Sequence, residues 1–395
     1  MRSEPAGGIG WLLTVEPIGD AVAWSLLRAT DGGTDVIAAD RIADTRDLQE
    51  HARRLQPSVS AAPDHLGHAG LWASSLTRPD EEADTANVLG QGLLPQALRS
   101  GLLRAAVESR PDTVTIACRG WLAGIPWDLL SLDGTTGPRL LERALVYGGL
   151  SPTLGAGRSR FSPARNRSSP GLTVIDPGPV LGMPRQLYPT GHPRSLTDQC
   201  ILSGDMVSPS DRGLTADELA YSLHQNPSRF LYLGHIQSGQ PGAPADAALM
   251  LSERNSAFAL TARLWLATPD RWPAPPRVAL IGCSSDDTGF HEQSGLVVAA
   301  LNAGAHLITS TRWPLPVDHV APSPPLPNNP IHHDGLTRLA ALVHRAHQAA
   351  GPLAVLRDWQ LEQLQAWRHG GQLAQSPLLW GGLVTYLAPT PTPRE

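Results

Sequence analysis

Short apolar runs alternate with amphipathic segments through most of the chain after residue 110. Most of these runs are apolar on both faces, which is typical of strands in a sheet covered by helices on both sides. They are VTIAC (114–118), LTVID (172–176), FLYLG (230–234), VALIG (278–282) and HLITSTRW (306–313). Apolar residues at three- and four-residue spacing predict helices between or after them: LTADELAYSLHQ, EQSGLVVAALNAG, GLTRLAALVHRAHQAA and LAVLRDWQLEQLQAW. The alternation predicts an α/β fold, a three-layer sandwich with a mostly parallel central sheet flanked by helices.

The first hundred residues follow a different pattern. Residues 8–45 contain three runs rich in strand-forming residues, separated by GD and DGG turns, and predict a strand meander. Residues 46–109 are largely helical in pattern, with a loop-rich stretch over 58–87. We therefore predict a small β-rich accessory module over 1–81, a main domain over 82–388 and a disordered tail over 389–395.

Composition excludes several classes of chemistry. The 395-residue chain contains no lysine, so all 31 basic residues are arginine. Mechanisms that need an ε-amine, such as a phosphate-loop lysine, a pyridoxal Schiff base or a Ser-x-x-Lys nucleophile, are therefore excluded. The formal net charge is −5 and the arginines are dispersed apart from one segment at 155–171, predicted to be a linker. We expect no nucleic-acid partner and no cofactor.

The sequence also bears on location. The short apolar run at the N-terminus is interrupted by Glu16, and no stretch of about 18 uninterrupted apolar residues occurs, so neither secretion nor membrane insertion is expected. The three cysteines, Cys118, Cys200 and Cys283, are widely spaced and odd in number. They predict no disulfide framework and fit a reducing cytoplasm. We expect Cys118 and Cys200 to be chemically inert.

Two segments place a reactive side chain where a predicted strand ends. FLYLGHIQSG (230–239) leads into His235, and VALIGCSSDDTG (278–289) leads into Cys283. Ligands of open α/β sheets bind at the carboxyl ends of the strands. The separation of 48 residues is close to the roughly 50 by which histidine precedes cysteine in caspase-type peptidases.

The chemistry requires this pair of residue types. A free thiol has a pKa of about 8.5, so an imidazole must lower it or take its proton during attack on a carbonyl. The tetrahedral intermediate then needs two donors directed at its oxyanion, and the main-chain N–H groups of Ile236 and Cys283 are the candidates. Each residue alone also has a structural interpretation, because cysteines are often buried packing residues and single histidines are commonly structural.

Four other histidines are candidates for metal ligands. His332 and His333 are adjacent in a Pro/Asn-rich loop, and His344 and His347 lie three apart on a predicted helix. No set of cysteines or carboxylates accompanies them at ligand spacing, so no metal is expected. Trp127, inside the IPWDLL element, is predicted to be a core residue.

Five motifs resemble CHAT-domain peptidases of the caspase-like clan, whose relatives include separases, gingipains and clostripain. They are the Gly-His and Gly-Cys-Ser-Ser elements, GLVVAALNAGAHLITSTRWPLPVD (295–318), VTIACRGWLAGIPWDLLSLDG (114–134) and SPLLWGGLVTYLA (376–388). The resemblance covers roughly residues 82–388. It implies a caspase-hemoglobinase fold, a Cys283/His235 dyad, and hydrolysis of peptide bonds in a protein or peptide substrate. It also implies activation by a regulatory protein partner, a ligand or cleavage, as in a bacterial defence or regulated-death system.

Two points stay open at the level of sequence. The family commonly has glycine directly after the histidine, whereas this chain has Ile236, and a catalytically silent adaptor that binds a partner protein is the competing hypothesis. For specificity, Asp286 and Asp287 follow the cysteine, and Trp313 and Asp318 lie in the region that lines the substrate pocket in relatives. An acidic pocket would favour a basic residue before the cleaved bond, but the two aspartates equally fit a helix cap or a solvated surface.

Overall fold

The computed structural model describes residues 10–30, 33–55, 57, 74–105, 111–149, 169–176, 194–208, 214–237, 243–253, 256–282, 295–316 and 334–388. Fourteen strands lie in this part of the chain. They are β1 (Gly10–Ile18), β2 (Ala21–Thr30), β3 (Gly33–Ile42), β4 (Asp112–Cys118), β5 (Ala144–Gly148), β6 (Leu172–Ile175), β7 (Met206–Val207), β8 (Phe230–Leu233), β9 (Ile236–Gln237), β10 (Ala248–Glu253), β11 (Ser256–Thr261), β12 (Arg277–Ile281), β13 (Leu307–Thr311) and β14 (Leu383–Leu387).

Eleven of the strands form one sheet in the order β3-β2-β1-β4-β5-β14-β13-β12-β8-β6-β7. Neighbouring strands are parallel except for β1/β2, β2/β3 and β13/β14. The predicted mostly parallel α/β sheet is confirmed, and all five predicted strands of the main domain are present. Because β13 and β14 are antiparallel, the group β13-β12-β8-β6-β7 runs opposite to β1-β4-β5-β14.

The helices cover both faces of this sheet. They are α1 (Arg46–Leu55), α2 (Pro79–Leu93), α3 (Gln96–Arg104), α4 (Leu140–Arg143), α5 (Arg194–Leu202), α6 (Ala216–His224), α7 (Ala262–Ala267), α8 (Leu296–Asn302), α9 (Gly335–Gln348), α10 (Pro352–Gly370) and α11 (Pro377–Trp380). The four helices predicted for the main domain are confirmed as α6, α8, α9 and α10. Helix α6 begins with a capping box in which Thr215 and Glu218 exchange hydrogen bonds.

Two hydrophobic clusters show that the sheet is the middle of three layers. Along β8, Leu231 and Leu233 join one cluster, and Phe230 and Tyr232 join the other. This alternation follows from the period of two along a strand. Helices α9 and α10 contribute to the first cluster, and α6 and α8 to the second. Trp127 is buried and donates its indole N–H to the Leu122 carbonyl at 3.0 Å, which confirms its predicted place in the core.

The N-terminal strands continue the main sheet. The predicted meander is confirmed as β1, β2 and β3, and β1 pairs in parallel with β4 from Gly10↔Thr113 to Val15↔Cys118. The indole N–H of Trp11 also donates to Asp112 at 3.1 Å. The domain boundary predicted at residue 81 falls inside α2. Independent folding of segment 1–81 stays a prediction, and the predicted tail at 389–395 lies outside the described residues.

The prediction of a loop over 58–87 was wrong for its last part, because α2 begins at Pro79. The run Asp80, Glu81, Glu82 gives the sequence a polar character typical of a loop. Proline at the first helical position and acidic residues in the first turn nevertheless favour a helix start, since they suit the unpaired N–H groups there. Ala86, Leu89 and Leu93 then form its buried stripe.

A second, three-stranded sheet was not predicted. It has the order β11-β10-β9, and only two residues, Gly234 and His235, separate the end of β8 from the start of β9. His235 therefore lies between the two sheets. Among the described residues, no helix has both the length and the apolar character needed to cross a membrane.

Candidate functional site

The two strands that lead toward His235 and Cys283 are neighbours. Strand β12 pairs in parallel with β8, from Val278↔Phe230 to Ile281↔Leu233. The pairing continues one residue further, because the Gly234 N–H donates to the Ile281 carbonyl at 3.2 Å. Partners in this register differ by 48 in residue number, which is also the separation of His235 and Cys283.

Glycines at both strand ends allow the backbones to approach each other closely. A Cβ atom placed on Gly282 would collide with the carbonyl oxygen of Gly234, well inside 3.0 Å, and would meet Ile236 Cγ1 at 3.0 Å. A Cβ on Gly234 would lie 2.7 Å from the Tyr232 hydroxyl. The glycines of the Gly-His and Gly-Cys elements are therefore required by packing at this edge of the sheet.

His235 is held through its main chain. Its carbonyl oxygen accepts a hydrogen bond from the Met250 N–H at 3.1 Å and lies 2.8 Å from the Tyr232 hydroxyl. Its imidazole is half-buried. The next residue, Ile236, is buried and lies opposite Leu249 in the antiparallel pair of β9 with β10. A β-branched residue suits this extended backbone, so Ile236 does not distort the chain after His235.

Gly282 is also held from its other side. The hydroxyl of Thr311, the last residue of β13, donates to the Gly282 carbonyl at 2.8 Å and accepts from the Gly282 N–H at 3.4 Å. Thr311 is fully buried. Two residues further on, Trp313 is buried and donates its indole N–H to the Leu378 carbonyl at 3.0 Å. Its side chain packs in the core, and a substrate contact by Trp313 stays a prediction.

Several predicted site residues lie outside the described residues. They are Cys283, Asp286, Asp287 and Asp318. The adjacent histidines His332 and His333 lie outside them as well. The described part of the chain thus brings together the ends of β8 and β12, with His235 and Ile236 directly after β8.

A charged pair lies next to this edge, at the boundary between the two strand groups. Asp128 of the IPWDLL element is buried 3.8 Å from the guanidinium of Arg312, the residue after Thr311. The side-chain amide of Gln360 donates a hydrogen bond to the Asp128 carboxylate at 3.4 Å. Both charged residues line a cavity between β5 and β14, strands joined by one described pair, Gly148↔Tyr386. Burial raises the pKa of Asp128 to about 6, and Arg312 opposes this effect.

Elsewhere in the described part of the chain, a cysteine and a histidine lie close together. The ligand atoms of Cys200, Asp205 and His344 lie within 4.8 Å of one another, with His344 Nε2 at 2.9 Å from Asp205 Oδ2. Sequence reasoning missed this cluster because its members lie on α5, before β7 and on α9. These distances would allow a metal ion to bind. Both carboxylate oxygens of Asp205 already accept hydrogen bonds, however, one from Arg229 and the other from Thr173. An ion would have to displace a guanidinium, so the cluster is better suited to structural hydrogen bonding.

The cluster lies at the opposite edge of the sheet from His235. Gly171, Asp205 and Arg229 each directly precede a parallel strand, so they mark the amino ends of β6, β7 and β8. Burial raises the pKa of the Cys200 thiol to about 11, which keeps it protonated and unreactive. Cys118 and Cys200 are both buried free thiols. On the same helix as His344, the ring of His347 is buried 2.9 Å from the Thr309 hydroxyl, and burial lowers its pKa to about 3.

Comparisons with solved structures find similarities to other proteins. The chain is similar to a Saccharomyces cerevisiae separase–securin complex at 9% identity and a TM-score of 0.54, over 96% of this chain and 30% of the separase chain. It is also similar to the complex of Porphyromonas gingivalis RgpB pro- and mature domains at 11% identity and a TM-score of 0.42, over 74% of this chain and 68% of that chain. No family model and no curated protein sequence matches.

Separase is a caspase-like cysteine peptidase. The chain therefore has a caspase-like α/β fold, as the sheet order and its helical layers also indicate. The chain spans less than a third of the length of the separase chain that it matches.

Proposed function

We propose that this protein is a cysteine endopeptidase of the CHAT type, with Cys283 as nucleophile and His235 as general acid and base. The fold is that of a peptidase clan, and that alone does not make an enzyme. The observation that carries the proposal is the pairing of β12 with β8. It brings Gly282 against Gly234 at one edge of the sheet, and Cys283 and His235 are the residues that follow these glycines in sequence.

In the reaction, His235 takes the proton of the Cys283 thiol as the sulfur attacks the carbonyl carbon of the scissile bond. The main-chain N–H groups of Ile236 and Cys283 stabilise the resulting oxyanion. His235 then gives its proton to the leaving amine, and a thioester remains on the sulfur. Water, deprotonated by His235, hydrolyses the thioester, releases the carboxylic acid and returns the proton to the thiol.

We assign Asp286, Asp287, Trp313 and Asp318 to the substrate-binding region. The acidic residues would select a basic side chain before the cleaved bond by charge-assisted pairing. Because Trp313 is buried, we assign it a role through packing. The proposed division of the chain is a β-rich accessory module over 1–81 and a CHAT-type domain over 82–388.

A peptidase of this kind must be restrained, and we propose that a protein partner or ligand activates it in the cytoplasm as part of a bacterial defence or cell-death system. The separase and RgpB structures are themselves complexes, with securin and with a prodomain respectively. That supports a protein partner as the regulator. The identity of the partner is a separate question from the chemistry of the site.

The test combines hydrolysis with chemical labelling of the full-length protein. A fluorogenic peptide panel that varies the residue before the cleaved bond is expected to detect hydrolysis, and Cys283→Ala and His235→Ala are expected to abolish it. Cys200→Ala is the matched control, because it removes a thiol from the opposite edge of the sheet. Hydrolysis that survives in the Cys283 and His235 variants would reject the dyad.

Labelling with iodoacetamide, followed by peptide mapping, tests the nucleophile without a substrate. Cys283 is expected to react faster than a free thiol at the same pH, and His235→Ala is expected to slow it. A Cys283 that reacts no faster than glutathione, in a protein that hydrolyses none of the panel, would instead identify a silent adaptor.

A further inference from the structure

Two buried hydroxyl groups act on the main chain at the candidate site. The Thr311 hydroxyl binds the carbonyl and the N–H of Gly282, at 2.8 and 3.4 Å. Because Gly282 precedes Cys283, this hydroxyl fixes the peptide group that joins them. Strand β12 lies between β13, which carries Thr311, and β8. The Gly282 carbonyl is therefore held toward the β13 side.

The second hydroxyl belongs to Tyr232 on β8. It lies 2.8 Å from the His235 carbonyl and 2.7 Å from the Met250 carbonyl, so its proton is directed at these two acceptors. The His235 carbonyl also accepts from the Met250 N–H. The Met250 N–H and the Tyr232 hydroxyl proton, which the His235 and Met250 carbonyls share, thus hold the His235 carbonyl toward β10 and fix the peptide group between His235 and Ile236.

A trans peptide group is planar, and its C=O and N–H point in opposite directions. Holding the His235 carbonyl toward β10 directs the Ile236 N–H away from β10. This N–H is one of the two groups assigned above to the oxyanion hole. The other belongs to Cys283, the residue that follows Gly282 in sequence, and Thr311 holds the Gly282 carbonyl of the peptide group that joins them.

We propose that Thr311 and Tyr232 are positioning residues that fix the two oxyanion-hole N–H groups before substrate binds. This inference rests on the proposed function. Donors stabilise a transition state well when they need no reorganisation during the reaction. A side-chain hydroxyl that binds the carbonyl of the same peptide group meets this requirement without contacting the substrate. It also explains why Ile236 can replace the usual glycine, since the carbonyl before it is already held.

The experiment compares Thr311→Val, which keeps the shape and removes the hydroxyl, with Thr311→Ser, which keeps the hydroxyl. Tyr232→Phe tests the Tyr232 hydroxyl independently of Thr311. If one variant fails to fold, the other still tests the proposal. Two rates are measured for each: kcat on the best peptide of the panel, and the rate of Cys283 alkylation by iodoacetamide. Alkylation displaces iodide from a saturated carbon and forms no oxyanion, so it reports the thiolate and His235 alone.

Removal of a whole oxyanion donor costs about 10²–10³ in kcat, and a misaligned donor is expected to cost less. We expect Thr311→Val and Tyr232→Phe to lower kcat by about tenfold to a hundredfold, with alkylation rates close to that of the unmodified protein. Thr311→Ser is expected to restore most of kcat. An unchanged kcat in both variants, or a parallel fall of kcat and alkylation, would overturn the inference. An unmodified protein that hydrolyses no peptide of the panel, and whose Cys283 reacts no faster than glutathione, would overturn the proposed function, and this inference with it.

Discussion

Replacing Gly282 with alanine tests the close approach on which the candidate site depends. The added methyl group would collide with the Gly234 carbonyl oxygen and meet Ile236 Cγ1 and Cδ1 at 3.0 and 3.1 Å. The oxygen belongs to the main chain and cannot rotate away as a side-chain end would. The strand ends must therefore separate, and the hydrogen bond from the Gly234 N–H to the Ile281 carbonyl is the first that this movement stretches.

The expected cost has two components. Overpacking a well-filled site costs about 1–3 kcal/mol, and the weakened main-chain hydrogen bond adds about 0.5–1.5 kcal/mol. We expect the free energy of unfolding to fall by about 2–4 kcal/mol. A displacement of roughly 1 Å between reacting groups can cost about a hundredfold in rate, so peptide hydrolysis should fall by a similar factor.

Urea unfolding followed by circular dichroism measures the stability, and the fluorogenic assay measures the rate. Gly370→Ala is the matched control, because a Cβ there has its nearest atom at 3.9 Å, in Gln372. That control should leave the rate unchanged and keep stability within about 1 kcal/mol, since alanine favours a helix end more than glycine does. Equal stability and equal activity in the two variants would refute the close approach of β8 and β12.

Four further predictions concern buried ionisable groups. The carboxyl of Asp128 keeps its proton to a higher pH in the folded than in the unfolded state, so its contribution to stability falls by about 3 kcal/mol as the pH rises from about 4 to 6. Asp128→Asn should remove this dependence of the unfolding free energy on pH, measured by urea unfolding, and an unaltered dependence would contradict the prediction. His347 has a lowered pKa, so its contribution to stability is complete above pH 6.5 and falls by about 5 kcal/mol as the pH drops toward 3. His347→Gln should make the unfolding free energy depend less steeply on pH in this acid range, and an equally steep dependence would contradict the prediction. Glu82→Gln should destabilise the protein by about 3–5 kcal/mol because it leaves the Arg139 charge buried without its partner at 3.1 Å, with Glu81→Gln on the exposed face as the control for thermal unfolding. Cys118 and Cys200 should resist iodoacetamide until urea unfolds the protein, and labelling of Cys200 in the native state would contradict its burial.

The parts of the fold that sequence predicts well are those set by local pattern. The runs at 230–234 and 278–282 identify β8 and β12 because strands buried on both faces are short and apolar throughout. The glycine that ends each run indicates the close approach seen between Gly234 and Gly282. The start of α2 was missed because its acidic first turn resembles a loop. The short strand β9 after His235 was missed because two residues carry no periodicity.

Contacts between distant segments are beyond such patterns. Thr311 reaches Gly282 only because β13 and β12 are neighbours, and the pairing of Asp128 with Arg312 joins residues 184 apart in sequence. Thr311, Asp128 and Arg312 have no local sequence signal that distinguishes them from solvated polar residues. The same holds for Cys200, Asp205 and His344, which only the packing of α5 and α9 against the sheet brings together.

The described fold and the sequence together indicate two places for a cysteine and a histidine in one sheet, and physical chemistry distinguishes their roles. At the amino edge, Cys200 is buried with a pKa of about 11, and the carboxylate beside His344 is engaged by Arg229 and Thr173. A thiol there has neither the ionisation nor the access that attack on a peptide requires. His235 follows Arg229 by six residues in sequence, which corresponds to roughly 20 Å at about 3.3 Å per residue. The carboxyl edge there presents a half-buried His235 beside a strand that leads into Cys283. A peptidase built on this sheet would therefore use the carboxyl edge for chemistry and the amino edge to anchor its helices.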